Sequence, residues 1–140
     1  MIRKFNKDDL EQVTQIWLEV NTRTHHFIPE TYWTAQLNMV KELLPQAELY
    51  VYEKNGKILG FVGLSDHYIA GIFVSSISQS QGIGKELLDY AKSIKAKLSL
   101  NVYQKNERAI KFYQREKFII EAGNRDENTG EQEFLMVWER

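Results

Sequence analysis

The feature that most limits how this chain can fold is a strand, helix, strand succession in its middle. An apolar, β-rich run, "HYIAGIFV" (His67 to Val74), precedes a helical pattern that begins at Gly82. That pattern places Leu87, Leu88, Ala91 and Ile94 at the spacing of one buried face, and an alternating run, "LSLNVY" (Leu98 to Tyr103), follows it. A helix between two strands is a crossover, so these strands pair parallel. Upstream, "ELYVYEKNGKILGFVGLS" sets β-rich runs on either side of Asn55-Gly56. That pair suits a type I′ hairpin turn, which needs positive φ at both positions and joins antiparallel strands. The sheet must therefore be mixed.

The other elements fit around this frame. "IRKF" (Ile2 to Phe5) predicts a strand, and Asn6 can cap a helix with Asp9 in its first turn and Leu10, Val13, Trp17 and Val20 on one face. A second helix starts near Pro29, buries Tyr32 or Trp33 with Leu37, Val40 and Leu44, and ends at Pro45. Asn106 can cap a short helix carrying Ala109, Ile110, Phe112 and Tyr113. "FIIEAG" and "FLMVWE" predict two last strands joined around Asn128 to Gly130. The reading is α/β (α+β): a mixed, mostly antiparallel sheet of six to seven strands flanked by about four helices, as one domain over residues 1–140.

Composition removes several function classes. The net charge is −1, from 18 basic and 19 acidic residues, which argues against broad capture of nucleic acid or an anionic membrane. The absence of cysteine removes disulfides, thiol nucleophiles and Cys-based zinc sites. His25, His26 and His67 have no metal-ligand spacing, so no metal is expected. No apolar run approaches the roughly 20 residues of a membrane span, and the N-terminus has no apolar h-region. A cytoplasmic location is the expectation.

Gly82 and Gly84 open a helix with the poorest ordinary formers, at about 1 kcal/mol each against Ala. The first four N–H groups of a helix lack partners and, with the macrodipole, bind phosphate. A Cβ at either glycine would hold an anion off the backbone, and Lys85 adds a positive charge at the rim. A plain strand-to-helix turn explains such a pair equally well. A P-loop does not, since Glu86 follows Lys85, and a dinucleotide fingerprint fails because position 87 is Leu.

Two longer stretches narrow the choice. "QSQGIG" (Gln79 to Gly84) resembles the Q/R-x-x-G-x-G/A signature of the GNAT superfamily, the acyl-CoA-dependent N-acetyltransferases. "NVYQKNERAIKFYQREKF" resembles that superfamily's second signature, with Asn106, Ala109, Tyr113 and Phe118 at its positions. The whole chain is similar to small single-domain bacterial members. It departs from the pattern at Ser76, at Ser80 and at Lys117, where a glycine with positive φ is common.

The resemblance implies the acyl-CoA N-acyltransferase fold with acetyl-CoA as donor. The diphosphate would lie on the loop begun by Gln79, on the N–H groups of Gln81, Gly82, Gly84 and Lys85. The pantetheine arm would enter between a strand ending Ile72-Phe73-Val74 and the strand Leu98 to Tyr103, with the Phe73 or Val74 N–H polarising the thioester carbonyl. Asn106, a helix cap in any case, would also touch the arm. Tyr113, alternatively a core residue beside Phe112, would protonate the departing thiolate. Lys105, Arg108 and Lys111 would meet the nucleotide end or form a solvated face.

The acceptor side is less constrained. His67, Tyr68 and Glu53 are candidates for handling the amine, and Tyr68 is preferred because it shares parity with Ile72 and Val74. In the superfamily the region that "NTRTHHFIPETYW" resembles walls the acceptor, which His25, His26, Phe27, Tyr32 and Trp33 could line; the alternative is Phe27 and Trp33 as ordinary core and the histidine pair as a solvated loop. The implied activity is direct transfer of acetyl to a primary amine, on a protein lysine, an N-terminus or a small molecule. The alternative is a non-catalytic acyl-CoA-binding or regulatory module, which has no need of a hydroxyl at Tyr113. By analogy, a homodimer could form along an exposed edge of the C-terminal strands.

Overall fold

The computed structural model describes residues 1–140. In chain order it contains β1 (Ile2–Lys4), α1 (Leu10–Thr24), α2 (Glu30–Leu43), β2 (Glu48–Lys54) and β3 (Lys57–Ser65). These are followed by β4 (Tyr68–Val74), α3 (Ile83–Ile94), β5 (Lys97–Tyr103), α4 (Glu107–Arg115), β6 (Ile119–Arg125) and β7 (Gln132–Glu139). This is the predicted succession. The local rules that set it are visible. Asn55 and Gly56 take φ of 53° and 78°, as the type I′ turn requires. Asn6 and Asp9 form a reciprocal capping box ahead of α1, and Asn106 Oδ1 accepts from Ala109 N at 3.2 Å. Lys117 does adopt positive φ, 76°, and closes α4 with bonds from Lys117 N to Gln114 O and from Phe118 N to Tyr113 O.

The strands form one seven-stranded sheet in the order β1-β2-β3-β4-β5-β7-β6. Only β4 and β5 run parallel, and they pair at a single position, Tyr68 with Ser99. Beyond it they diverge, leaving a V-shaped gap in the middle of the sheet. Period-2 alternation sends each strand's side chains to two cores. Val62, Leu64, Ile69, Leu98, Leu100 and Met136 pack under Leu87, Leu88 and Ala91 of α3. Leu49, Val51, Ile58 and Phe61 pack under Val13 and Ile16 of α1. Ile94, expected inward, is the last residue of α3 and is exposed. Helix α2 packs chiefly on α1 rather than on the sheet, so only Trp33 of its apolar face is buried.

One irregularity overturns a prediction. In the β3–β4 ladder Gly63 pairs with Gly71 but Leu64 pairs with Ile69, so Ala70 is an extra residue in β4. The bulge reverses parity along the strand. Ile69 joins Ile72 and Val74 on the α3 side, and Tyr68 faces the α1 side, opposite to the face its number implied. No helix is long and apolar enough to cross a membrane. Strand β6 is an outer edge, with Ile119 and Ile120 exposed.

Candidate active site

After β4 the chain makes a short 3-10 turn (Ser76–Ser78), swings through positive φ at Ser80 (67°) and Gly82 (80°), and enters α3. The first helical bond runs from Glu86 N to Gly82 O, 3.0 Å. No backbone N–H from Gln79 to Lys85 donates to any acceptor in the protein. A run of free amides in backbone of mixed handedness is the kind of concavity that suits an anion, and the helix N-terminus adds to it. The glycines have separate roles. Gly82 is the N-cap in left-handed conformation, so its lack of a side chain serves the backbone. Gly84 lies inside the first turn, where a Cβ would sit 3.8 Å from both Phe112 and Val74. The fold has room for that methyl, which would project among residues that line the cleft.

The free amides line a cleft of about 510 Å³ whose far wall is α4, with Asn106, Arg108, Ala109, Phe112, Tyr113 and Arg115. Gln79 closes the loop by donating from Nε2 to Val74 O at 3.1 Å. Gln81 is exposed and its side chain lines neither cavity. Lys85 is less available than its position suggests: its ammonium is 3.0 Å from Asp89 and 3.3 Å from Glu116, which raise its pKa. Lys105 pairs with Glu131 and lies over the Phe27 ring, and it and Lys111 line neither cavity. Positive charge at the cleft instead comes from Arg108, which donates to Ser80 Oγ at 3.3 Å, and from Arg115. Arg115 was not singled out, although its position two helical turns beyond Arg108 puts both on one face.

A second cavity of about 300 Å³ lies on the α1 side of the gap. It shares Val20, Thr24, Ile72, Asn106, Ala109 and Tyr113 with the first, so the two meet there. Tyr113 is 9% exposed, and its ring packs edge-on against Phe112 and Phe118. Its hydroxyl has no hydrogen-bond partner in the protein and is not among the sealed polar atoms, so it reaches the cavity surface. Burial pushes its pKa up, and the phenol stays protonated. Core packing and an unpartnered hydroxyl at a cavity surface coexist in this one residue. Asn106, likewise, both caps α4 and lines both cavities.

Register sets where the Phe73 and Val74 N–H groups point. Ser75 N donates to Leu59 O at 2.8 Å, and N–H directions alternate along a strand. The Phe73 N–H therefore points at β3, while those of Ile72 and Val74 point into the gap. Phe73 is a packing residue whose ring stacks on Phe61 at 4.9 Å.

Aromatic groups wall the second cavity: Trp17, Trp33, His25, Tyr68 and Tyr103. Tyr68 belongs here despite the reversed parity, and its hydroxyl accepts from Asn101 Nδ2 at 2.9 Å. His25 is not in a solvated loop. Its ring lies 4.9 Å from that of Tyr103 and 5.8 Å from that of Phe27, and burial drops its pKa to about 4. His26 is exposed as expected. Glu133 of β7 supplies the cavity's carboxylate, its pKa raised by burial and by Asp126. It was not anticipated, because strand pairing alone brings it opposite Tyr103. Two other candidates fall away. His67 lies in the β3–β4 turn, outside both cavities, with Nδ1 buried and unpartnered. Glu53 is bound to Arg3 at 2.9 Å, likewise outside both cavities.

Comparison with known proteins agrees with this geometry. Residues 45–120 match the acetyltransferase (GNAT) domain. The chain is 37% identical over 141 residues to the peptidyl-lysine N-acetyltransferase YiaC of Escherichia coli K12, covering 99% of this chain and 96% of that one. It is 28% identical over 130 residues to the peptidyl-lysine N-acetyltransferase YjaB of the same organism, covering 92% and 88%. The solution structure of apo YjaB superposes with a TM-score of 0.88 at 26% identity, over 99% of this chain and 96% of that one. A PaiA N-acetyltransferase from Thermoplasma acidophilum, crystallised with coenzyme A, has the same fold, with a TM-score of 0.86 at 20% identity over 100% and 98%. With its two signatures, its gap between β4 and β5 and its run of free amides ahead of α3, the chain belongs to the GNAT family of acetyltransferases.

Proposed function

We propose that this acetyltransferase moves acetyl from acetyl-CoA directly to the side-chain amine of a lysine in a peptide or protein. The observation that carries the reading is the meeting of two cavities at Tyr113: a cleft of free amides and arginines, and an aromatic pocket holding one carboxylate. The first suits a diphosphate and its pantetheine arm. The second suits an aliphatic arm ending in a cation, through apolar walls and ring faces. The names of the two bacterial relatives support lysine as acceptor.

In this reading the diphosphate lies on the N–H groups of Gln81, Gly82, Gly84 and Lys85, with Arg108 and Arg115 beside it. Asn106 holds the arm. The Val74 N–H faces the thioester carbonyl and stabilises the oxyanion that forms there. Tyr68, oriented by Asn101, bounds the acceptor. With no cysteine in the chain, no acetyl-thioenzyme is available and the amine attacks the thioester itself. Tyr113 gives its proton to the departing thiolate. From ordinary pKa values that transfer is uphill by about 2 kcal/mol. Burial of the phenol adds to the cost, and desolvation of the thiolate in the same cleft offsets it. A binding module on this fold would gain nothing from a free hydroxyl at that point, which favours the enzyme.

The test pairs two measurements. Saturating acetyl-CoA should raise the melting temperature, since a ligand that binds only the native state stabilises it. Mass spectrometry should then find acetylated lysine peptides in preference to small amines. A thermal shift without any acetylated product would favour the binding module; no shift at all would remove acetyl-CoA as the donor.

A further inference from the structure

One group in the acceptor pocket is held in a single tautomer by the helix beneath it. Asn21 of α1 is buried, and its Nδ2 donates to Trp17 O at 2.9 Å. That bond assigns the two ends of the amide and leaves Oδ1 toward His25, 3.1 Å from Nδ1. An amide oxygen has no hydrogen to give, so Nδ1 carries the hydrogen and donates it. The lone pair of the neutral imidazole then sits on Nε2. That nitrogen has no partner in the protein and is not among its sealed polar atoms. The ring cannot easily turn, being packed against Tyr103, Phe27 and Trp33. It lines the same cavity as Tyr113. A histidine kept only for packing needs neither a fixed tautomer nor an open nitrogen.

We propose that His25 is the proton acceptor for the incoming amine, a reading that rests on the transferase activity proposed above. As the amine nitrogen bonds to the thioester carbonyl carbon, the C=O π pair moves to oxygen and one N–H proton passes to Nε2. When the adduct collapses, the C=O bond re-forms, the C–S bond breaks and the thiolate takes the Tyr113 proton. The His25 proton leaves to solvent, and solvent restores Tyr113. Burial keeps the imidazole neutral, so its lone pair is always available. A base this weak takes protons only from an acidic nitrogen. The adduct's nitrogen is one, since it is cationic and attached to a carbon bearing oxygen and sulfur. The titratable groups facing His25 are Tyr68 from β4, Tyr103 from β5, Tyr113 from α4 and Glu133 from β7. Glu133 is the one carboxyl among them, and a carboxylate there favours the imidazolium formed in turnover.

The experiment uses His25→Phe, which keeps an aromatic ring and removes the lone pair, with the lysine peptide that the wild-type protein acetylates best. The kcat should fall about 100-fold or more, the range general bases supply, while the acetyl-CoA thermal shift stays at its wild-type size. Added imidazole should restore part of the rate to His25→Ala. If His25→Phe does not melt cooperatively, His25→Gln decides on the same readouts. Turnover within about twofold of wild type in a variant that still binds acetyl-CoA overturns the proposal and leaves the transferase reading standing. Wild-type protein that binds acetyl-CoA and acetylates no amine removes both.

Discussion

Replacing Gly84 with alanine should move stability and cofactor affinity in opposite directions. Gly84 is the second residue of α3, and its Cβ would meet nothing nearer than 3.8 Å. The protein can take the methyl without strain. Alanine restricts the unfolded chain and suits the helix better, together worth about 0.5–1 kcal/mol. For a domain of this size that is a rise of about 2–4 °C in melting temperature without ligand. Acetyl-CoA tells the other half. At 100 times its Kd, a ligand stabilises the native state by about 2.7 kcal/mol. If the methyl holds the diphosphate off the amides and weakens binding about 100-fold, the same concentration is worth only about 0.4 kcal/mol to the variant. The melting curves of the two proteins should therefore cross over: alanine higher without ligand, glycine higher with it. Differential scanning calorimetry with and without acetyl-CoA reads both. Equal ligand shifts would refute the placement of the diphosphate at Gly84. A variant that melts lower without ligand would mean that the fold itself needs the glycine.

Tyr113→Phe should lower kcat by about 100-fold while leaving the acetyl-CoA shift intact, and stability should change by less than about 0.5 kcal/mol because the hydroxyl has no protein partner; steady-state kinetics beside a melt separate these effects. Lys117→Gly should raise stability by about 1 kcal/mol, since φ of 76° strains any L side chain, and urea unfolding measures it. Arg3→Ala should cost about 2–3 kcal/mol, because it strands the buried Asp9 carboxylate that Arg3 contacts at 2.8 and 2.9 Å; Arg3 is about a quarter exposed, which keeps the loss below that of a fully buried pair. The Arg3 hydrogen bonds depress the Asp9 pKa, so this stability is present above the unfolded value near 3.9 and is lost on further acidification. The difference in melting temperature between wild type and Arg3→Ala should hold at pH 7 and shrink below about pH 4.

The parts of the fold legible in the sequence are those governed by a few neighbouring residues. Asn55-Gly56 sets a turn through its own φ preferences, Asn6 and Asn106 cap helices from two and three residues away, and the strand, helix, strand order forces one parallel pair into an otherwise antiparallel sheet. The positive φ at Lys117 was implied by the family pattern, which commonly has glycine there, and a lysine by itself gives no such signal. The loop of free amides was legible too, since Gly82 acts on its own backbone and Gly84 leaves the helix start without a side chain. The acceptor side depended on register and packing between segments far apart in the chain. One extra residue at Ala70 reversed the face on which Tyr68 lies, and ladder phase set where the Phe73 and Val74 N–H groups point. Partners on other elements tied down Lys85, Lys105 and Glu53 and left Arg108 and Arg115 at the cleft. His25 reads as a loop residue until α1, α2 and β5 close around it. Backbone conformation is a short-range property that residue type specifies directly. Which side chains share a cavity, and in what protonation state, is a sum over contacts that exist only once the sheet has formed.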